Sequence, residues 1–263
     1  QERYSRNPGY QTDTVTISAG LQREMQAGSH LGFALSYQDI DVDSAWAGSD
    51  GSRLTGGVIL KHQIDAVKLS TSLGLGYGSY DSQRRVDLPT PGVTASSEQD
   101  VYFASLHGRI GYDFMPTENY YIRPLVDLGF IHVNRRGFSE EGADGANLKV
   151  FGEREMYSTI RPAVEIGGET ELAGGLLIRP FLRAGMTHYM SSNKHEITAR
   201  MEGAPTGVDP FTISVEDERT FADLALGVDL IKKDGINLRF NYSGQFSGQS
   251  ASHVGGAKLA IPF

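Results

Sequence analysis

Val67-Lys68-Leu69-Ser70-Thr71-Ser72-Leu73-Gly74-Leu75-Gly76-Tyr77-Gly78 alternates without a break. Val67, Leu69, Thr71, Leu73, Leu75 and Tyr77 fall on one side, and Lys68, Ser70, Ser72, Gly74, Gly76 and Gly78 on the other. Side chains on opposite faces at a period of two define a strand with one oily and one wet face. A helix is excluded because each interior Gly would cost it about 1 kcal/mol relative to Ala.

Outward from this segment the same pattern recurs over the whole chain, in eleven readable segments. Upstream, Val15, Ile17, Ala19 and Leu21 alternate with polar or small residues, as do Leu31, Phe33, Leu35 and Tyr37, and then Leu54, Val58 and Leu60. Downstream come Tyr102, Leu106, Ile110, Tyr112 and Phe114, then Ile122 to Phe130, Ile160 to Ile166 and Ile178 to Met186. The last three carry Ala222 to Leu230, Ile236 to Tyr242 and Ala257 to Phe263. Charge falls on the second face each time.

The connections are of two kinds. Short turns with Gly, Pro or Asp-Gly chemistry are predicted near Gln26 to Ser29, Ile64 to Ala66, Met115 to Asn119, Ala173 to Gly175 and Lys232 to Gly235. Between them the polar stretches Ser44 to Ser52, Ser82 to Glu98, Arg136 to Glu153 and Ser191 to Glu218 read as longer loops, with a shorter one near Ser247 to Ser250. Trp46 reads as packed within the first of them. Short turns at one end, long loops at the other, an apolar outer face and a polar inner one are the pattern of an outer-membrane barrel.

Composition agrees. Gly is 32 of 263 residues, above the usual ~7%, with 12 Tyr and 12 Phe. No run of about 18 apolar residues exists to form a spanning helix. A net charge of −8 excludes a phosphate-binding surface and hence nucleic acid. With no Cys, disulfides, thiol catalysis and cysteine-held zinc are excluded, and the 7 His show no metal-ligand spacing. No metal or cofactor is expected.

Bacterial single-chain barrels have even strand numbers, so eleven segments predict a twelfth. With the chain ending on the short-turn side, the missing strand should precede Thr12, either compressed into Gln1 to Tyr10 or upstream. The fold class expected is an all-β, transmembrane, antiparallel up-and-down barrel of twelve strands, with residues 1–263 forming a single domain.

Three stretches resemble one family, the C-terminal translocator domain of autotransporters, the type V secretion proteins of Gram-negative bacteria. They are Gly9-Tyr10-Gln11-Thr12-Asp13-Thr14 with Ala19-Gly20-Leu21 and Leu31-Gly32-Phe33-Ala34-Leu35-Ser36-Tyr37; Ala204-Pro205, Phe211 and Leu226-Gly227-Val228-Asp229-Leu230; and Leu238-Arg239-Phe240-Asn241-Tyr242-Ser243-Gly244-Gln245-Phe246 with His253 and Phe263. The family's pore-threading linker helix and first strand are not evident in this sequence. The resemblance implies a barrel in the outer membrane that anchors an N-terminal passenger and lets it reach the cell surface. It implies as partners the passenger and linker helix, the barrel-assembly machinery, periplasmic chaperones and the bilayer.

Two residue sets are candidate sites. Gly255, Ala257, Leu259, Ile261 and Phe263 resemble the terminal-strand signal that assembly machinery recognises by strand addition. Arg123, Asp127, Arg161, Glu165, Arg179, Arg183, Asp223 and Arg239 fall on the face expected to line the lumen, to meet the linker or pair across the pore. No catalytic residue is expected. His195 with Asp209, Glu216, Asp217 and Glu218 reads as a solvated loop rather than an acid/base site, and Ser139 to Gly145 lacks EF-hand spacing. A stand-alone barrel hydrolase, and a porin or adhesin, are the alternative functions.

Overall fold

In the computed structural model, which describes residues 9–87, 92–172, 174–191, 194–216, 218–232 and 235–261, the alternating segments become one antiparallel sheet. The strands begin with β1 (Tyr10–Gln26), β2 (Ser29–Ser44), β3 (Ala47–Ile64), β4 (Val67–Val86), β5 (Val93–Tyr112), β6 (Phe114–Thr117) and β7 (Tyr120–Arg135). They continue with β8 (Phe138–Ser139), β9 (Leu148–Val150), β10 (Glu153–Gly168), β11 (Thr170–Leu172), β12 (Leu176–Tyr189), β13 (Lys194–Met201) and β14 (Phe211–Glu216). The last are β15 (Thr220–Lys232), β16 (Asn237–Phe246) and β17 (Ala251–Ala260).

Eleven strands lie side by side in the order β1-β2-β3-β4-β5-β7-β10-β12-β15-β16-β17, with β6 and β11 as short additions beside β7 and β12. Each long strand pairs with the next, so the topology is up-and-down, and the sheet curls into a half-barrel. Among the described residues β1 and β17 are its two edges. No helix there is long and apolar enough to cross a membrane.

The apolar face is the convex one, which inverts the usual arrangement of a folded chain. Ile17 is 71% exposed and Leu75 61%, whereas the buried hydrophobic residues among those described are Val86, Ala95, Leu125, Ala143 and Ala199. An apolar surface of this extent does not persist in water. Tyr77 and Tyr102 stack across β4 and β5 with ring centroids 5.1 Å apart, and Tyr112 and Phe114 sit 4.6 Å apart at the turn end. Tyr102 and Tyr112 are ten positions apart in β5, about 33 Å along a strand. At a tilt near 40° that gives a band about 25 Å high, the height of the hydrocarbon-facing belt of an outer-membrane barrel.

The concave face is polar and small. Phe103 lies so close over Gly76 that a Cβ there would come within 2.1 Å of its ring, which explains the Gly in mid-strand.

The loop end departs from expectation. Ser44 to Ser52 and Ser82 to Glu98 are mostly strand, for β3 begins at Ala47, β4 runs to Val86 and β5 starts at Val93. At 18 to 20 residues, these strands are about twice the 9–11 needed to span a bilayer. Trp46 is not packed but 55% exposed, because its loop shrinks to a two-residue hairpin tip. The stretches after β7 and β12 build a second sheet, β14-β13-β9-β8, rather than open loops. It is clamped to the barrel wall by Arg84, whose guanidinium donates to Glu140 at 2.8 and 2.6 Å and to the Ala146 carbonyl at 3.1 Å. Val86, Ala95 and Ala143 form a small core beside this clamp.

Candidate functional site

The concave face encloses a cavity of about 680 Å³ lined from β3 round to β16, with Lys68, Arg109, Arg123, Glu165, Arg183, Asp229 and Arg239 among its walls. Strand register organises these charges into three rows. Arg123 and Arg183 flank Glu165; Arg109 and Arg161 flank Asp127; Arg179 and Arg239 flank Asp229, with Lys258 next to Arg239.

Among the described residues Glu165 is the most enclosed carboxylate, at 3% exposure. It accepts from Arg123 Nη1 at 2.6 Å, Arg183 Nε at 2.9 Å and the Tyr121 hydroxyl at 2.9 Å. Arg123 lies 4.3 Å over the Tyr121 ring, and Gly167 leaves room for that ring where a Cβ would come within 2.4 Å of it. Arg123 and Lys68 also pair with Asp113 in the turn after β5. Burial alone would push the Asp113 carboxyl up, but hydrogen bonds from Arg123 and Lys68 hold it below the usual aspartate value. Arg109 grips Asp127 with both nitrogens of its fork, and Arg239 does the same to Asp229.

Of the residues singled out from sequence, Arg123, Glu165, Arg179, Arg183 and Arg239 line this cavity. Arg179 also pairs with Glu169. Asp127 and Arg161 face each other in register, and Asp223 accepts from Thr187 Oγ1 at 2.6 Å and Gln245 Nε2 at 2.9 Å. The alternation groups Arg109 and Asp229 with the same face without marking either as a site, and the turn residue Asp113 is invisible to it. In the terminal strand, Gly255, Ala257 and Leu259 stand opposite Tyr242, Phe240 and Leu238. Ile261 is exposed beyond β17, and Phe263 lies outside the described residues.

His195 lies against β10. Its Nδ1 sits 3.0 Å from the Tyr157 hydroxyl and 3.2 Å from Glu155, on β10. Glu216 stands opposite Lys194, Glu218 accepts from the Gly248 amide, and Asp217 lies outside the described residues. Glu140, from the acidic stretch Ser139 to Gly145, is occupied by Arg84 and the Leu148 amide. Ser29 meets His62 rather than its neighbour His30, Oγ to Nδ1 at 2.6 Å.

Past the Tyr77–Tyr102 level, the convex face becomes acidic. Asp13, Asp41, Asp50, Asp81 and Glu98 are consecutive register partners across β1 to β5, a single row of five carboxylates. Asp43 foremost, then burial and the carboxylates of Asp50, Asp13 and Asp39, raise the Asp41 pKa above the ordinary value.

Residues 1–243 match the family model described as the autotransporter beta-domain. The fold is similar to the translocator domain of the autotransporter NalP from Neisseria meningitidis, with a TM-score of 0.75 at 14% identity, covering 97% of this chain and 81% of that one. It is also similar to the beta domain of the Bordetella autotransporter BrkA, with a TM-score of 0.70 at 21% identity, covering 97% and 92%. In sequence it is 21% identical over 268 residues to outer membrane protein A of Rickettsia rickettsii and 21% identical over 259 residues to the extracellular serine protease of Serratia marcescens. The chain spans 12% and 24% of those two relatives while 97% of it is covered. The family model runs from the first residue into β16: the chain belongs to the autotransporter β-domain family.

Proposed function

We propose that residues 1–263 form one translocator unit, which anchors an autotransporter in the bacterial outer membrane and provides the route by which its passenger reaches the cell surface. The observation that carries this reading is the inverted distribution of polarity, a band about 25 Å high of apolar side chains outside and a charged cavity inside. The long-strand end then faces the exterior and the short turns face the periplasm. Arg123, Asp127, Arg161, Glu165, Arg179, Arg183, Asp223 and Arg239 line the lumen, where paired charges hydrate a passing chain and contact the linker helix.

Assembly follows the same reading. Periplasmic chaperones carry the unfolded chain, and the barrel-assembly machinery engages the terminal strand through Gly255, Ala257, Leu259, Ile261 and Phe263 by strand addition. The chain is a conduit and anchor, not an enzyme, and any hydrolytic activity belongs to a passenger.

The test is to express the chain in a Gram-negative host with an epitope-tagged passenger upstream. The tag should become accessible to protease added to intact cells. A tag kept in the periplasm while the barrel inserts normally would overturn the translocator reading in favour of a porin or adhesin.

A further inference from the structure

Although Asp113 and Glu169 give Arg123 and Arg179 carboxylate partners outside the rows, three cations of the concave wall are left without one among the described residues. Each row carries two or three basic residues around one acid, although the chain as a whole is strongly acidic at −8. Asp127 is taken by the Arg109 fork, which leaves Arg161 with a buried Nε that has no hydrogen-bond partner. Lys61 donates to a neutral partner, Gln22, at 3.0 Å, and it feels the charges of Lys258 and Arg239 from strands at the opposite edge of the sheet. Among the described residues none of Lys61, Arg161 and Lys258 has a carboxylate within ion-pair distance. Lys61 and Lys258 are exposed and solvated, whereas the Arg161 Nε is buried with no partner, an arrangement that an entering anion relieves.

We infer that the lumen is built for an acidic occupant, a polypeptide segment whose carboxylates meet Lys61, Arg161 and Lys258. This rests on the translocator reading and specifies the chemistry of what the conduit holds. A basic segment meets net repulsion on the same path. The row Arg179, Asp229, Arg239 and Lys258 presents its spare cation at the β17 edge, and Arg161 presents its own on β10, so the two spare charges lie on different arcs of the wall. An occupant with carboxylates on more than one face satisfies both.

The test uses the intact protein in planar bilayers and two synthetic helical peptides that differ only in having Glu or Lys at four positions. The Glu peptide should block the current at a concentration at least tenfold lower than the Lys peptide. In the K61Q/R161Q/K258Q variant that preference should fall below threefold. Equal block of the native protein by the two peptides, or stronger block by the Lys peptide, overturns the inference. Should the triple variant not assemble, the reversal potential of the native protein in a salt gradient decides: anion selectivity supports the inference and cation selectivity overturns it. Passenger display on intact cells is scored separately. Normal display with no peptide preference removes this inference alone, and lost display with the preference retained removes the translocator reading alone.

Discussion

Two carboxylates of this chain sit in opposite situations. Glu165 is enclosed by Arg123, Arg183 and Tyr121. Glu165→Gln leaves Arg183 without its carboxylate and Arg123 with Asp113 alone, and breaking a buried pair in this way typically costs about 3–5 kcal/mol. The variant should lose its heat-resistant folded form at lower temperature in detergent, as read by gel mobility. Asp41 stands among like charges, so its ionisation opposes folding of the strand tips. Its folded pKa lies above the unfolded one; the tips are therefore most stable below the ordinary aspartate pKa and lose that stability as pH rises through the folded value. Asp41→Asn should slow hydrogen exchange at the ends of β1 and β2 at pH 7 and leave it unchanged at pH 3. Faster exchange at pH 7 would mean that the row is not repulsive. Arg84 makes a third case: Arg84→Ala orphans Glu140, at a cost of about 1–3 kcal/mol, and should release Glu140 to Leu148 to rapid exchange while the strands below stay protected.

At the scale of the strand, the two faces respond differently to the same change. A Lys in place of Leu73, mid-belt on the convex face, should destabilise the barrel by about 2–4 kcal/mol, whereas Ser72→Lys, one residue away on the concave face, should cost far less. Denaturant titration in detergent micelles measures both, and equal losses would refute the assignment of faces. This contrast was legible in Val67 to Gly78, because a bilayer forces one face to be apolar and so writes a period of two into the sequence. Where the strands leave the bilayer that pressure ends: around Asp50 and Asp81 both faces are polar, and strand residues there resemble a loop. The second sheet, β14-β13-β9-β8, was hidden for the same reason and because β9 and β13 are far apart in sequence. Of the site, alternation revealed which charges share a face. It did not reveal that Arg123 and Arg183 converge on Glu165, since register is set by pairing across whole strands.

At the scale of the molecule, the chain is an apolar belt with a basic interior and an acidic crown. Purified protein should partition with outer membranes and resist carbonate extraction, and it should hydrolyse ester and peptide substrates no faster than a blank; turnover abolished by Ser29→Ala would instead revive the hydrolase alternative through the Ser29–His62 pair. The crown has its own consequence. Neighbouring strands are about 4.8 Å apart, so the row from Asp13 to Glu98 is a line charge with a spacing well inside the ~8 Å screening length of physiological saline. Dilution lengthens the reach of that repulsion and splays the hairpin tips, and added monovalent salt draws them together. The mouth of this barrel thus responds to ionic strength, while its membrane-embedded girth does not.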